Sequence, residues 1–177
     1  MNDDFVLEPF NSTHDRSEFS CGVDALDTYL RLQASQDMRR YYSGVFILRK
    51  ANDPHVIGYY TLSALSVALT ALPQGSIRRV GGYQQVPATL LGRLAIDVSC
   101  RGQHLGQRLL LNAFQRSYHT ALEVGSALLV VDALDEHAAN FYRHYDFVSF
   151  PEQPLRLAIS MDVIKKVVRR ESPPVDE

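Results

Sequence analysis

Residues 91–111, LGRLAIDVSCRGQHLGQRLLL, constrain the fold of this chain more than any other stretch. An apolar run of strand character (Leu94, Ala95, Ile96, Val98) leads into a short basic loop, Arg101-Gly102-Gln103-His104-Leu105-Gly106, and an apolar-periodic helix follows. A loop of this kind turns backbone N–H groups toward one point, where a helix N-terminus adds its partial positive charge. The junction is a ready anion site, best suited to phosphate. It has neither the Gly-Lys-Ser/Thr of a P-loop nor the full G-x-G-x-x-G run of a dinucleotide fold. Taken alone, a plain turn between strand and helix is an equal reading of it.

The rest of the chain reads as alternating strands and helices with no repeat, linker or low-complexity tract. A first strand at residues 5–7 ends at Pro9. Leu26, Leu30 and Ala34 recur at helical spacing and predict a helix over 25–37. Strands are expected at 45–48 and 56–67, separated by a turn at Asn52-Asp53-Pro54. A polar, glycine-containing loop over 73–87 carries Arg78-Arg79 and has the length of a functional loop. A helix from 105 to about 122 buries Leu109, Leu110, Ala113 and Phe114. A strand at 128–132, a helix bearing Tyr142, a strand near 157–161 and a short basic segment at 163–170 complete the chain. Residues 1–171 are read as one domain and 172–177 as a disordered tail. The fold class is α/β (α+β layered): one central twisted mixed sheet with helices on both faces.

Charge is distributed unevenly. Residues 1–30 carry seven acids against one base, residues 31–170 seventeen bases against ten acids, and the last seven residues three acids. The body is basic and Arg-rich, including Arg39-Arg40, Arg78-Arg79, Arg93, Arg101, Arg108 and Arg116. Such a surface receives nucleic-acid phosphates, although solvated arginines explain charge alone equally well. The acidic start, with no long apolar run after it, argues against a signal peptide, and no window is apolar and long enough for a membrane span. Cys21 and Cys100 form no metal-spaced pair and read as reduced thiols of a cytoplasmic protein. The scattered histidines predict no metal site.

Three motifs carry a resemblance. Arg101 to Gly106 resembles the R/Q-x-x-G-x-G/A loop of GNAT N-acetyltransferases, with His104 where the family usually has glycine. The run Ala138 to Phe147, with Asn140, Phe141 and Tyr142, resembles that family's A-x-x-F-Y-x-x-x-G-F half-motif, with Asp146 replacing the glycine. Phe19 to Leu30 resembles the F-x-C-G-x-x-x-L-D-x-(W/Y)-L signature of GNAT toxins of type II toxin–antitoxin modules, and Leu91 to Asp97 resembles their L-G-R-L-A-V/I-D strand. The resemblance covers roughly residues 5–163.

The resemblance implies a GNAT fold, acetyl-coenzyme A as cosubstrate and no metal. It implies acetylation of the α-amine of aminoacyl-tRNA, a block of translation, a ribbon-helix-helix antitoxin and a homodimer. By the same carry-over, the cosubstrate lies along Leu94, Ala95, Ile96 and Val98, on the loop Arg101, Gly102, Gln103, His104, Leu105 and Gly106, and beside Asn140. Backbone N–H groups near 94–96 become oxyanion donors, in the manner of the family's splayed strand pair. Tyr142 becomes the proton donor to the departing thiolate. Arg78, Arg79 and Arg93 are candidate tRNA contacts; Asp97 and Glu123 are possible water-mediated bases, each more simply a surface carboxylate. Two competing readings stay open: acetylation of a small amine or a protein N-terminus, and a non-catalytic co-repressor module.

Overall fold

A computed structural model describes residues 5–76 and 82–171. Its strands are β1 (Phe5–Pro9), β2 (Gly44–Lys50), β3 (Gly58–Ala68), β4 (Gln85–Ile96), β5 (Leu128–Asp132), β6 (Val148–Ser149) and β7 (Arg156–Ser160). They form one mixed seven-stranded sheet in the order β1-β2-β3-β4-β5-β7-β6. The helices are α1 (Asp24–Thr28), α2 (Ala34–Arg39), α3 (Leu105–Val124), α4 (Glu136–His144) and α5 (Met161–Glu171). The chain divides into two compact units, Met1–Ser63 with Gly92–Ala113, and Ala64–Leu91 with Phe114–Glu177.

In the first unit β1 and β2 pair antiparallel from Phe5↔Lys50 to Pro9↔Phe46, and β2 meets β3 from Gly44↔Leu62 to Leu48↔Gly58. β1 ends at Pro9, which sits where no ladder N–H is needed, since the Phe10 N–H after it still reaches the Val45 carbonyl at 2.8 Å. The core joins Phe19, Tyr29, Leu30, Ala34, Val45, Ile47 and Tyr59. Tyr59 donates its hydroxyl proton to the Leu26 carbonyl at 2.8 Å, which satisfies the one polar atom of a ring otherwise lost to water.

The expected single helix over 25–37 is instead α1, a π-turn at Tyr29–Gln33, and α2. The reason lies in the spacing that suggested a helix. Leu26, Leu30 and Ala34 recur at strictly four residues, and on a helix of about 3.6 residues per turn such a row drifts by about 40° each step. A wider turn, in which the Ala34 N–H reaches the Tyr29 carbonyl, takes up the drift and keeps Leu30 and Ala34 fully buried.

In the second unit β4 and β5 run parallel from Ala88↔Leu128 to Leu91↔Val131, β5 pairs antiparallel with β7, and β7 with β6. Leu128, Leu129, Val130 and Val131 are all buried, the unbroken apolar run that an interior strand needs. A core of Val67, Val86, Ala88, Leu128, Val130, Phe150 and Ala158 packs there.

Several bounds differ from the sequence reading. β3 starts at Gly58 because Val56 and Ile57 spend their N–H groups on the Asp15 and Leu48 carbonyls. β4 starts at Gln85, which shortens the loop before it. The basic segment at 163–170 is helix α5, whose Ile164 and Val168 are buried while Lys166, Arg169 and Arg170 face water. Arg78, Arg79 and the tail 172–177 lie outside the described residues.

Helix α4 starts on Asp135, whose carboxylate accepts the Ala138 N–H at 2.8 Å. It ends with the Phe147 N–H on the Tyr142 carbonyl and the Asp146 N–H on the Arg143 carbonyl. That two-bond ending requires a left-handed residue, and Asp146 takes it at φ 67°. Asp146→Gly removes a side chain that is exposed and strained, so it should raise stability by about 1 kcal/mol, or roughly 2–4 °C in Tm. Thermal unfolding checks this; an unchanged or lower Tm counts against the strain argument.

Candidate functional site

The first unit holds the strand–loop–helix junction. Pairing of β4 with β5 stops at Leu91↔Val131, so among the described residues Gly92–Ile96 continue past the end of that ladder. Ala95 is buried while Leu94 and Ile96 are half-buried and Val98 is 45 % exposed. Gly58 of β3 lets the β4 end come close: a Cβ there would meet Ile96 Cδ1 at 2.6 Å and the Ala95 carbonyl oxygen at 3.2 Å.

The loop itself stands in solvent. Arg101, Gly102, Gln103 and His104 are exposed, and Leu105, 5 % exposed, anchors the first turn of α3. Gly102 has φ 78° and open space where a Cβ would be. His104 has φ 56°, so it adopts the left-handed backbone its glycine counterpart would, a conformation histidine enters more readily than most residues. The first N–H groups of α3 have no intrahelical acceptor. A backbone cradle at a helix N-terminus results, and it fits a diphosphate.

Residues 19–22 are sewn to this junction. The Val98 N–H donates to the Ser20 carbonyl at 2.8 Å, and the Ser20 N–H to Asp97 Oδ2 at 2.9 Å. Arg101 Nη2 donates to the Cys21 carbonyl at 2.7 Å, and the Cys21 N–H to Asp27 Oδ1 at 2.8 Å. Asp27 is 3 % exposed, a buried acceptor on α1. Burial, reinforced by the Asp27 carboxylate, pushes the Cys21 thiol up to about 11, so it stays protonated and inert. Arg101 therefore acts as a clamp through its side chain.

Asp97 is tied into the backbone around it. Burial pulls its pKa upward, but hydrogen bonds from the Ser20 N–H and from the Ser99 hydroxyl and N–H outweigh that and hold it below the ordinary carboxylate value. It is the cap that turns β4 into the loop. Glu123 is an exposed residue near the end of α3. Arg93 lies 3.5 Å over the Tyr29 ring centroid, a cation–π contact that fixes its direction. Tyr29 is pushed up to about 12 by burial and by Asp37, against the pull of Arg93.

In the second unit α4 carries Tyr142 and Asn140. Tyr142 is 7 % exposed and is held edge-on by Phe141 and Phe147 at centroid distances of 5.2 and 5.3 Å. Burial pushes its phenol well above the ordinary value, so it carries its proton throughout the physiological range. Asn140 is exposed, and its Oδ1 accepts from Arg143 Nη1 at 2.8 Å. Arg143 also reaches Glu136 and the Ser149 hydroxyl, which ties α4 to β6. Among the described residues no group of three or more His, Cys, Asp or Glu is placed to hold a metal, and no helix is long and apolar enough to cross a membrane.

The clamp roles of Arg101 and Asp27 were missed by sequence reasoning. Their only signal was a buried-type acid, Asp27, six residues after Cys21 in a row of apolar positions.

Residues 10–147 match the model of the acetyltransferase (GNAT) family. The chain is similar to a tRNA-acetylating toxin of Mycobacterium tuberculosis (strain ATCC 25618 / H37Rv), 37 % identical over 147 residues that cover 83 % of this chain and 86 % of that protein. Its structure is similar to that of AtaT complexed with acetyl-methionyl-tRNAfMet, with a TM-score of 0.86 and 30 % identity, covering 93 % of this chain and 99 % of that one. It is also similar to a mutant AtaT toxin bound to the C-terminus of the antitoxin AtaR and acetyl-CoA, with a TM-score of 0.78 and 29 % identity, covering 93 % and 98 %.

Gly22, at φ 85°, leaves only 3.0 Å between a notional Cβ and Arg101 Nη2. Gly22→Ala should therefore cost about 1–2 kcal/mol of stability through the backbone alone and loosen the clamp. Chemical denaturation and acetyl-CoA titration should show both effects; Arg101→Gln should weaken acetyl-CoA binding with a smaller loss of stability.

Proposed function

Because the chain belongs to the acetyltransferase (GNAT) family, we propose that it transfers the acetyl group of acetyl-coenzyme A to the α-amine of an aminoacyl-tRNA and so stops translation. The observation that carries this reading is the junction of β4 and α3. It offers a stretch of strand past its β5 partner for an extended polyamide and, directly after it, a backbone cradle for a diphosphate. Similarity to proteins named for tRNA acetylation supports the choice of acceptor.

The cosubstrate supplies an acyl group already activated as a thioester. Backbone N–H groups at Leu94, Ala95 and Ile96, beyond the β4–β5 ladder, donate to the thioester oxygen as it gains charge. Gly102, Gln103, His104, Leu105 and Gly106 hold the diphosphate, and the Asn140 amide donates to the polyamide arm. No strong base is needed, since an α-amine has a reference pKa of about 7.7–8.0 and is partly neutral at cellular pH. That accords with the engagement of Asp97 in hydrogen bonds.

Tyr142 manages the remaining proton. A thiolate whose conjugate acid has a reference pKa of ~8.5 cannot draw a proton from a phenol raised above its ordinary ~10 without help. The phenol therefore gives its proton to sulfur as it receives one from the amine nitrogen, and it ends the cycle as it began. Burial suits that role because the tyrosinate never has to persist.

The acceptor end is recognised by the basic body of the chain, with Arg93 fixed over Tyr29 as one contact and Arg78-Arg79 as further ones. A ribbon-helix-helix antitoxin neutralises the enzyme, in keeping with the antitoxin-bound relative. The enzyme works as a homodimer in the cytoplasm.

Incubating the protein with labelled acetyl-CoA and a total pool of charged tRNA tests the reading. Label on the aminoacyl-tRNA is expected; label only on free amines or peptides would overturn it. Tyr142→Phe should bind acetyl-CoA normally and lose about 10²–10⁴-fold in kcat, the range of general-acid assistance. Full turnover by that variant would remove Tyr142 from the mechanism.

A further inference from the structure

Helix α2 ends as α4 does, with the Tyr42 N–H on the Asp37 carbonyl at 2.8 Å and the Tyr41 N–H on the Met38 carbonyl at 3.1 Å. The residue forced left-handed by this ending is Tyr41, at φ 59°. A bulky residue there is an outlier, and glycine is the usual occupant. Packing does not repay the strain, because Tyr41 is 94 % exposed and Tyr42 beside it 69 %. Strain held with no structural return points to use of the side chain by something outside the fold.

A cavity of about 460 Å³ opens on the same helix end, lined among others by Ser12, Arg16, Ser35, Met38 and Arg39. Among the described residues no carboxylate lines it. Arg16 stacks over the Phe10 ring at 4.8 Å, and its Nη1 is buried with no hydrogen-bond partner among the described residues. Glu8 is already committed to His14 and Arg49. A buried guanidinium nitrogen lacking an acceptor is costly, and an anionic oxygen satisfies it best.

We propose that the end of α2 is an RNA-binding subsite, in which the cavity takes a backbone phosphate on Arg16 and Arg39 while Tyr41 and Tyr42 stack an unpaired base. The proposal rests on the reading of tRNA as substrate and adds where its backbone is gripped. Phosphate chemistry explains the two arginines, and every base has a π-face for an exposed ring. An acidic peptide would satisfy the arginines but leave the strained, exposed pair of rings without a use.

The test uses the full chain and uncharged tRNA over a salt series, with steady-state kinetics on charged tRNA. Tyr41→Gly should raise Tm, because it removes strain, and yet weaken tRNA binding about tenfold. The KM for charged tRNA should rise similarly, with kcat and acetyl-CoA binding unchanged. Arg39→Gln should lower the slope of log affinity against log salt by about one, and Arg16→Gln likewise. Tyr42→Ser, at an exposed site, repeats the ring test if Arg16→Gln fails to fold. A more stable Tyr41→Gly that binds tRNA as tightly as the parent overturns the proposal. So does loss of acidic-peptide binding in these variants with tRNA binding intact. If the parent binds tRNA but acetylates no charged tRNA, the activity reading fails and the binding arm still decides the subsite.

Discussion

The Ser20–Gly22 segment is the seam on which the first unit depends. Its peptide groups are consumed by residues nearly eighty positions away: the Ser20 N–H and carbonyl by Asp97 and Val98, and the Cys21 carbonyl by Arg101. The Cys21 N–H turns the other way, to Asp27. One short stretch of backbone thus fixes the entry to α1 and the exit from β4 together. Loosening either end leaves a buried peptide group without a partner, at about 1–3 kcal/mol each. This is why a loop that stands in solvent keeps a definite shape: its rigidity is borrowed from the buried carboxylate and carbonyls behind it.

Left-handed backbone appears at three non-glycine residues, Tyr41, His104 and Asp146, among those described. Asp146 ends a helix and His104 precedes one, and both are residue types that reach this region with modest strain. Their presence at positions where the resemblance expects glycine changes the side chain without changing the path of the chain. Tyr41 differs, since neither its size nor its surroundings favour the conformation.

Much of this was legible in advance because the signals were local. The apolar runs at 94–96 and 128–131, and the spacing of Leu109, Leu110, Ala113 and Phe114, specify their elements through burial alone. Tyr142 was identified by its neighbours in sequence, and the structure shows how Phe141 and Phe147 hold its ring. What stayed hidden depended on partners remote in sequence. Arg101 read as a ligand contact, and its guanidinium also holds the Cys21 carbonyl, eighty residues earlier. Asp97 read as a possible base, and its oxygens also accept from Ser20 and Ser99, a capping role that no local signal announced. The π-turn within 24–39 was invisible because a four-residue repeat looks helical whether or not the helix widens to keep it aligned. Segment 163–170 was read by its charge, although Ile164 and Val168 give it a buried face.

A ladder that ends early inside a sheet has a further cost. Past Leu91 the last residues of β4 extend beyond their parallel neighbour, and such a stretch has the chemistry of a sheet margin: spare donors and acceptors that welcome any extended chain. Whatever polyamide lies along it serves as a provisional strand. A sheet with such a margin has to recruit its last partner from outside the fold, so its edge is a receptor as much as a support.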